Sequence, residues 1–345
     1  MSSKSDQPAE TQYLDQTLRP NRWDDYIGQK NIKDNLHILL TAARQRGHPP
    51  EHILFYGPPG LGKTTLAHLI AKETEAQMKV TSGPAILKVG DLAAILTNLS
   101  PGDILFIDEI HRLNKAIEEI LYPAMESGKL DIIIGKGPSA RTIQLDLPQF
   151  TLIGATTRIA MISSPLRSRF SGGVFKLEFY SQEEIQEIIN RSAKILGIGI
   201  EPSASQEIAR RSRFTPRTAN YFLKRCRDFS EVHGNGKDSK ADMSEWVKSQ
   251  TSGATLTKES VEKAVAMLGI DILGLNSADR NILKVMIDKF NGGPVGLNTL
   301  GAALSEEQAT IEDVYEPYLI QLGLLERTPR GRIVTDKAYQ HLKSI

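Results

Sequence analysis

The first half of the chain alternates short apolar runs with patterns of helical period. Apolar runs occupy residues 52–56, 103–107 and 151–155, and each run ends in a polar motif. Short apolar runs separated by helices are typical of an α/β fold, in which a parallel sheet is joined by crossover helices. Ligands of such sheets bind beyond the carboxyl ends of the strands, so these polar motifs are the first candidates for a functional site.

A different pattern governs the second half of the chain. From residue 181 the apolar positions recur only at helical spacing, which predicts a small helical domain with a polar insertion near residues 234–254. From residue 271, three helices, the last over residues 310–323, precede two strand-like segments around a Pro-Arg-Gly turn, which is the pattern of a winged helix. We therefore predict a disordered tail at 1–14, an α/β domain at 15–180, an all-α domain at 181–270 and a winged-helix domain at 271–345.

The composition is that of a folded protein without a strong charge bias. Of the 345 residues, 24% are charged and 40% hydrophobic, and 42 Lys and Arg against 41 Asp and Glu give a net charge of +1. These values exclude a small disulfide-stapled scaffold, wholesale disorder and a fibrous protein. Because the whole chain has no basic field, a surface that binds nucleic acid must be local.

The expected location follows from what the sequence lacks. Cys226 is the single cysteine, so an intramolecular disulfide or a multi-cysteine zinc site is excluded, which fits a reducing compartment, and we expect this thiol to be buried and inert. No run approaches the roughly 18 apolar residues of a membrane span, and the start of the chain lacks the apolar core of a signal peptide. We therefore expect a cytoplasmic protein.

A phosphate-binding loop follows the first apolar run. Residues 57–65 read GPPGLGKTT, match G-x-x-x-x-G-K-[ST] and lead into a helical pattern. In such a loop the backbone N–H groups converge on phosphates at a helix N-terminus, Lys63 reaches the β- and γ-phosphates, and Thr64 supplies a hydroxyl to Mg²⁺. A chance glycine-rich match is the alternative, and the strand before the loop and the helix after it argue against that alternative.

Two further polar motifs complete a candidate site for ATP hydrolysis. The second run ends in Asp108 and Glu109, a pair suited to hold the Mg²⁺ shell and to polarise the attacking water, with a solvated strand end as the alternative. Thr157 closes the third run, where it is placed to sense the γ-phosphate. A GTPase needs Asn-Lys-x-Asp, but Asn114 and Lys115 are followed by Ala and Ile, so ATP is the expected nucleotide.

The motifs, taken in their order along the chain, resemble those of the AAA+ ATPases and most closely the RuvB family, which drives branch migration of Holliday junctions. The resemblance covers nearly the whole chain and rests on LRP at 18–20, YIGQ at 26–29, GPPGLGKTTLA, LFIDEIHRL, YPAME at 122–126, LIGATTR, SPLRSRF, TPR at 215–217 and RTPRGR. LRP or TPR alone is weak evidence, whereas the set in this order is highly specific. It implies an ATPase and DNA helicase with a P-loop domain, a helical lid and a winged helix.

The resemblance also implies roles for individual residues around ATP and Mg²⁺. The implied catalytic residues are Lys63, Asp108, Glu109, Thr157 and an arginine finger that acts on the adjacent subunit, Arg169. The implied metal ligands are Thr64 and Asp108. The implied nucleotide-binding residues are Leu18, Arg19, Gly60, Gly62, Lys63, Thr64, Thr65, Glu126, Arg169, Tyr180 and Arg217.

The same resemblance implies an assembly and partners. Members of the family form hexameric rings around duplex DNA and act with RuvA and RuvC, and a finger that acts in trans itself requires a ring. Residues 130–147 read as a β-hairpin, which is similar to the hairpin that docks an apolar tip onto RuvA. An ordinary extension of the sheet is the alternative for this segment.

Charge is segregated within the predicted winged helix. Residues 303–322 carry five acidic residues and no Lys or Arg, whereas residues 323–345 carry five basic and two acidic residues. Arginines around a glycine turn are suited to phosphates or a minor groove, with sequence-independent and salt-sensitive binding, and a solvated hairpin is the alternative. The resemblance implies that Arg327 and Arg332 contact DNA.

Other classes of function stay open at this point. A clamp-loader subunit shares the ATPase motifs but lacks a winged helix at its carboxyl end. A protein-remodelling or transcription-regulating ATPase uses a winged helix only as a tether, so DNA does not raise its ATPase rate. A DNA-binding module without enzymatic activity is the weakest alternative, because it gives Lys63, Asp108 and Glu109 no purpose.

Overall fold

The computed structural model describes residues 16–134, 141–233 and 255–344. The chain divides into two compact units, the first ending at Phe179 and the second beginning at Tyr180. The predicted tail at 1–14 and the predicted insertion at 234–254 lie outside the described residues. Within the described part of the chain, no helix combines the length and the apolar composition that a membrane span requires.

A parallel sheet with crossover helices forms the first unit. Its elements are α1 Lys30–Arg46, β1 Ile53–Tyr56, α2 Lys63–Glu73, β2 Met78–Ser82, α3 Val89–Thr97, β3 Ile104–Asp108, α4 Lys115–Ser127, β4 Lys129–Ile134, β5 Arg141–Asp146, β6 Thr151–Thr156, α5 Ser164–Ser168 and β7 Gly173–Lys176. Five parallel strands pair in the order β2, β3, β6, β1, β7. The three apolar runs of the sequence are therefore confirmed as neighbouring strands of one parallel sheet.

The central strands of this sheet are buried on both faces, as their continuous apolar sequences predict. Phe55 of β1, Phe106 of β3 and Ile153 of β6 are fully buried, as is Leu66 of α2. Burial of each such side chain contributes about 2 kcal/mol through the removal of apolar surface from water. This packing aligns the carboxyl ends of β1, β3 and β6 along one edge of the sheet.

A β-hairpin projects from the first unit, as the alternating sequence predicts. Strands β4 and β5 pair with each other in antiparallel register and do not join the parallel sheet. Leu130 near its base is buried in the core of the unit, whereas Ile143 is exposed. Residues 135–140, where the sequence pattern places the turn of the hairpin, lie outside the described residues. The hairpin is thus a separate element, which excludes an extension of the sheet.

Helices dominate the second unit. Its elements are α6 Gln182–Ile195, β8 Gly199–Ile200, α7 Pro202–Arg211, α8 Pro216–His233, β9 Thr255–Leu256, α9 Lys258–Met267, α10 Ser277–Phe290, α11 Leu297–Leu304, α12 Gln308–Thr310, α13 Glu316–Gln321, β10 Leu325–Thr328, β11 Gly331–Val334 and α14 Asp336–Lys343. The strands β10 and β11 form an antiparallel hairpin, the wing. The predicted sequence of a helical lid followed by a winged helix is confirmed.

Capping residues define where helices of this unit begin. The Glu184 N–H donates to Ser181 Oγ at 3.2 Å and the Ser181 N–H donates to the Glu184 carboxylate at 2.8 Å, a reciprocal capping box at the start of α6.

Farther along the lid, Cys226 in α8 is fully buried, and burial raises the pKa of its thiol to about 12. The prediction of an inert core cysteine is confirmed.

One helix of the winged helix contains an irregular turn. The sequence pattern predicts a helix over residues 310–323, and helical backbone runs without interruption over residues 308–321, so the predicted helix is present with slightly shifted ends. Within it, Ile311–Tyr315 form a π-helical turn between α12 and α13, which the sequence pattern does not indicate. Pro317 in the first turn of α13 has no N–H to donate, so one hydrogen bond of the regular ladder is missing beside this turn.

Candidate nucleotide-binding site

The loop between β1 and α2 has a conformation that only its glycines permit. Gly57 and Gly62 have φ angles of 138° and 100°, which side chains disfavour. Space is limited as well, because a Cβ on Gly57 would lie 2.7 Å from the Leu177 carbonyl oxygen and a Cβ on Gly62 would lie 2.8 Å from the Tyr26 hydroxyl. The phosphate loop thus requires glycine at both positions for two independent reasons.

Lys63 lies in the first turn of α2 and is only 8% exposed. Its ammonium donates to the carbonyl oxygens of Gly57 at 2.7 Å and Pro58 at 2.9 Å. These carbonyls are neutral acceptors, which the oxygens of a phosphate would replace with a gain in charge attraction. Thr64 and Thr65 follow on the same turn, where the helix N-terminus supplies free N–H groups and the positive end of the helix dipole.

The predicted acidic pair lies at the end of β3. Asp108 is the last residue of the strand, and its Oδ1 accepts the Glu109 N–H at 2.9 Å. Glu109 has a left-handed backbone with φ of 46°, which costs about 1–2 kcal/mol for a residue with a side chain. Its carboxylate is about half exposed and pairs with Arg112 at 3.2 Å. Strain of this kind is common where a side chain must meet a ligand.

Strand β6 lies between β1 and β3 and brings the third motif to the same edge. The Gly57 N–H donates to the Thr156 carbonyl at 3.2 Å, so the phosphate loop begins beside the end of β6. The Thr156 hydroxyl bonds to His111 Nδ1 and accepts the Arg158 N–H, each at 2.9 Å. His111 therefore has a structural role in the sheet edge. Thr157, the next residue, lies between the phosphate loop and the acidic pair along this edge.

The donors at this edge fit a nucleotide triphosphate and a magnesium ion. Backbone N–H groups and the Lys63 ammonium suit phosphate oxygens, and the Thr64 hydroxyl and Asp108 carboxylate are oxygen ligands of the kind that Mg²⁺ prefers. Glu109 is a further carboxylate that is able to take a proton from water. The described residues hold no cluster of three or more His, Cys, Asp or Glu side chains that would bind a metal alone. A magnesium ion here would therefore depend on phosphate oxygens as well.

Arg169, the predicted finger, is held by residues of its own chain. Its guanidinium pairs with Glu126 at 3.0 Å, lies over the Tyr122 ring at 4.4 Å from the centroid and donates to the Pro165 carbonyl at 2.6 Å. Ser163 bonds to the Tyr122 hydroxyl at 2.9 Å and caps α5, which precedes the finger. Two residues predicted at the nucleotide, Arg169 and Glu126, thus contact each other. Sequence reasoning missed Tyr122 and Ser163, although Tyr122 lies in the YPAME motif.

The remaining predicted nucleotide contacts have different environments. Leu18 in the first unit is buried, and Arg19 is partly buried. In the second unit Tyr180 is buried, and its N–H donates to the Phe214 carbonyl at 3.1 Å. Arg217 in the first turn of α8 is exposed and forms no ion pair with another described residue. Its guanidinium is therefore available to a ligand.

Both predicted DNA contacts in the wing are paired with carboxylates. The buried Arg332 donates through Nε and Nη2 to Glu316 at 2.6 and 3.2 Å. Arg327 is about half exposed, and its hydrogen bond to Glu312 raises the pKa of the guanidinium. Arg330, at the turn between the strands, is exposed and has no ion-pair partner in the described residues. Contact of Arg332 with DNA would require its carboxylate pair to open, whereas Arg330 is one of the arginines around the glycine turn that the sequence analysis considers suited to phosphates.

Family models match nearly the whole chain. The model described as the Holliday junction DNA helicase RuvB P-loop domain matches residues 18–176, the RuvB AAA lid domain matches residues 180–250, and the RuvB C-terminal winged helix domain matches residues 272–343. The chain belongs to the RuvB family. The resemblance drawn from the motifs is confirmed, as is the AAA+ architecture of P-loop domain, lid and winged helix.

Individual RuvB proteins are similar over almost their full lengths. Two relatives named Holliday junction branch migration complex subunit RuvB are 56% identical over 329 residues, in Dehalococcoides mccartyi, and 54% identical over 332 residues, in Fusobacterium nucleatum. These matches cover 95% and 96% of this chain, and 89% and 94% of the relatives.

Solved RuvB structures agree with the fold. The Thermotoga maritima RuvB Holliday junction branch migration motor is 49% identical, with a TM-score of 0.82 over 95% of this chain and 98% of that chain. A single-residue variant of it, also 49% identical, has a TM-score of 0.83 over 94% of this chain and 98% of that chain. The predicted class of function, an ATPase of the RuvB branch-migration type, is confirmed by the family.

Proposed function

We propose that this chain is an ATP-driven motor that moves Holliday junctions, as its relatives are named to do. The observation that carries the proposal is one sheet edge that combines a phosphate loop, an acidic pair and Thr157, in a chain that also carries a winged helix. ATP hydrolysis changes the arrangement of subunits in a ring, and the winged helices pass the change to duplex DNA as stepwise pulling. The activity serves recombination and repair of DNA in the cytoplasm.

ATP and Mg²⁺ are the proposed cofactors. Leu18, Arg19 and Tyr180 enclose the adenine, and the phosphates lie on Gly60, Gly62, Lys63, Thr64 and Thr65. The Lys63 ammonium exchanges its carbonyl partners for oxygens of the β- and γ-phosphates. The Thr64 hydroxyl and the Asp108 carboxylate would hold Mg²⁺, whose charge would offset the negative charge of the transferred phosphoryl group.

Glu109 is the proposed base. Its carboxylate leaves Arg112, orients a water on the γ-phosphorus and takes the proton of that water as the new P–O bond forms. The bond between the γ-phosphorus and the β-phosphate oxygen breaks, and ADP leaves with the electron pair. Thr157, which lies between the phosphate loop and the acidic pair, donates its hydroxyl to the γ-phosphate or to the attacking water.

Turnover is proposed to need a neighbouring subunit. Arg169 leaves Glu126 and brings its guanidinium to the γ-phosphate held by the adjacent chain, where it stabilises the charge of the transition state. Glu126 faces the same neighbouring nucleotide. Arg217 contacts the nucleotide from the lid of the subunit that binds it. A closed hexamer gives every site one finger.

Mixed rings test the action of Arg169 in trans. We expect rings of Arg169→Ala alone to lose about 10³-fold or more of the ATPase rate, because no site then receives a finger. Their affinity for ATP should not change, because the phosphate loop of each chain is intact. Lys63→Ala binds ATP weakly but retains its finger, so mixing the two inactive variants should restore turnover. Absence of activity in every mixing ratio would contradict a finger that acts in trans.

The wing and the hairpin are the proposed contacts with partners. Arg330 is exposed at the wing turn and binds the phosphates of duplex arms without reading sequence, and Arg327 and Arg332 join it when Glu312 and Glu316 release them. The β4–β5 hairpin, where Ile143 is exposed, is the proposed surface for RuvA. RuvC, which acts on the same Holliday junction, is the other proposed partner.

The alternatives drawn from the sequence are not favoured. A clamp loader lacks a winged helix, whereas residues 272–343 match the RuvB winged helix. A remodelling ATPase tethered by its winged helix hydrolyses ATP at the same rate with and without DNA. We expect duplex DNA of any sequence to raise the ATPase rate of this protein, and an unchanged rate would favour the tethered alternative.

A further inference from the structure

A turn with unusual backbone geometry lies where the lid meets the winged helix. Arg213 and Phe214, here called the 213–214 turn, both have φ of 54°. Two successive residues with large side chains are rarely left-handed, and such a conformation persists only where surrounding groups hold it. The contacts of these two side chains therefore determine the shape of the turn.

The groups that hold the 213–214 turn come from the winged helix and the linker before it. The Arg213 guanidinium pairs with Asp279 of α10, donates through Nε to the Gly274 carbonyl at 3.3 Å and lies over the Tyr318 ring at 5.0 Å from the centroid. The Phe214 ring packs against the same Tyr318 ring, with centroids 6.1 Å apart and planes inclined by 58°. Asp279 and Tyr318 thus hold both residues of the turn.

The pair between Arg213 and Asp279 resists opening. Asp279 is fully buried, its Oδ1 has no hydrogen-bond partner in the described part of the chain, and its Oδ2 accepts the Asn276 N–H at 2.9 Å besides the guanidinium. Withdrawal of Arg213 would leave a buried carboxylate without its cation, which is strongly unfavourable. The lid turn and the start of α10 are therefore expected to move together.

A second cluster fixes the linker between the lid and the winged helix. Arg211 of the lid donates through Nε to the Asp271 carbonyl at 3.0 Å, and the Asp271 carboxylate contacts His341 of α14 at 3.0 Å and Arg280 of α10 at 3.5 Å. A Cβ on Gly274 would lie 2.5 Å from the Arg211 carbonyl oxygen, so the linker packs closely on α7. The linker is held by contacts with both the lid and the winged helix. A displacement of the winged helix should therefore move the lid more than it would through a flexible linker.

The 213–214 turn also positions residues that we assign to the nucleotide. The Phe214 carbonyl accepts the Tyr180 N–H at 3.1 Å. On its other side, Thr215 leads directly into α8, whose first turn carries Arg217. A change in the backbone of the turn would therefore displace both Tyr180 and Arg217.

We propose that Asp279 and Tyr318 of the winged helix are positioning residues for Tyr180 and Arg217 of the lid, acting through the 213–214 turn. This inference rests on the proposed function, because it takes Tyr180 and Arg217 as nucleotide contacts. The winged helix then sets the nucleotide affinity of the lid.

The test is a double-mutant cycle on the full-length protein, with a fluorescent ATP analogue as the probe. Asp279→Asn keeps the shape of the side chain and removes its charge, and Asp288→Asn on the exposed face of α10 is the matched control. We expect Asp279→Asn to raise the Kd at least about fivefold and Asp288→Asn to leave it unchanged. In an Arg217→Ala background the effect of Asp279→Asn on the Kd should be clearly smaller, because one of the two residues that Asp279 positions is gone and only Tyr180 remains.

A second variant keeps the test decisive if Asp279→Asn does not fold. Arg213→Gln breaks the same pair from the partly exposed lid side and should weaken nucleotide binding in the same way. An unchanged Kd in a folded variant of the pair, or an equal loss in the Arg217→Ala background, would overturn the inference. An unchanged Kd in Arg217→Ala alone would instead contradict the proposed nucleotide contact, on which the inference rests.

Discussion

Lys63 in the phosphate loop and Arg332 in the wing are both buried cations that motifs single out, but different groups accept their side-chain hydrogen bonds. Lys63 donates to the carbonyl oxygens of Gly57 and Pro58, which are neutral. Arg332 donates to both carboxylate oxygens of Glu316, which balances its charge. The comparison shows that a motif identifies a cation, whereas the partners of that cation determine whether it is available to a phosphate.

The largest expected effect is on the stability of the winged helix. Arg332→Met would leave the Glu316 carboxylate buried without a partner, which we expect to cost about 3–5 kcal/mol in the free energy of unfolding. Replacing both residues, as Arg332→Met with Glu316→Leu, should recover most of that loss, because no buried charge remains. Urea unfolding of the wild type, of Arg332→Met and of the double variant measures these free energies of unfolding. A single variant as stable as the wild type would show that the pair is open in solution.

The phosphate loop should respond to the loss of its cation in function and not in stability. We expect Lys63→Ala to weaken ATP binding about 100-fold or more, because it removes charge-assisted hydrogen bonds to the phosphates. Lys72→Ala, at the exposed end of the same helix, is the control and should bind normally. Isothermal titration with a non-hydrolysable ATP analogue measures both, and normal affinity in Lys63→Ala would refute the site.

A smaller effect is expected at the exposed cation of the wing. Arg330→Ala should weaken the binding of duplex DNA about tenfold or less and reduce the slope of log K against log salt by about 1, equally for all sequences. The unfolding free energy should not change, because Arg330 has no ion-pair partner among the described residues. A salt slope identical to that of the wild type would remove Arg330 from the DNA surface.

The smallest expected effect is a pH dependence of the first unit. His52 accepts the Leu152 N–H through Nδ1 at 2.9 Å, bonds to the Met125 carbonyl through Nε2 at 3.0 Å, and burial lowers its pKa. The folded state favours the neutral His52 ring. The contribution of this ring to the free energy of unfolding is therefore fully present above about pH 6.5, and it is lost as the pH falls through the lower pKa of the folded state. We expect a loss of about 1 kcal/mol, absent in His52→Gln, from unfolding curves between pH 7.5 and pH 5. Parallel losses in both proteins would exclude His52 as the cause.

Local motifs predicted the nucleotide site because each of its parts is encoded in a few consecutive residues. The phosphate loop needs its glycines within one short segment, and the acidic pair and Thr157 directly follow buried strands. The parallel sheet then brings the three strand ends together, and the sequence already indicates that sheet through its apolar runs. The fold class and the order of the elements were predictable for the same reason.

Contacts between residues distant in the sequence were not predictable in this way. The partner of Arg332 is Glu316 in α13. Neither the number of acidic residues around that helix nor the motif of the wing indicates which carboxylate contacts which arginine. The position of the Arg169 guanidinium over the Tyr122 ring depends on the packing of α4 against α5. The π-helical turn at Ile311–Tyr315 does not change which residues the helix buries in its pattern, so helical periodicity did not indicate it.

The central claim is that hydrolysis at the sheet edge moves DNA junctions. The measurement is the movement of a synthetic four-way junction at fixed salt, with ATP, with and without RuvA, for the wild type and for Glu109→Gln. We predict migration that requires ATP, is strengthened by RuvA and is lost in Glu109→Gln, which binds ATP but turns over about 10³-fold more slowly. Robust ATPase activity without any migration would contradict the motor, and migration by Glu109→Gln at the wild-type rate would contradict the site.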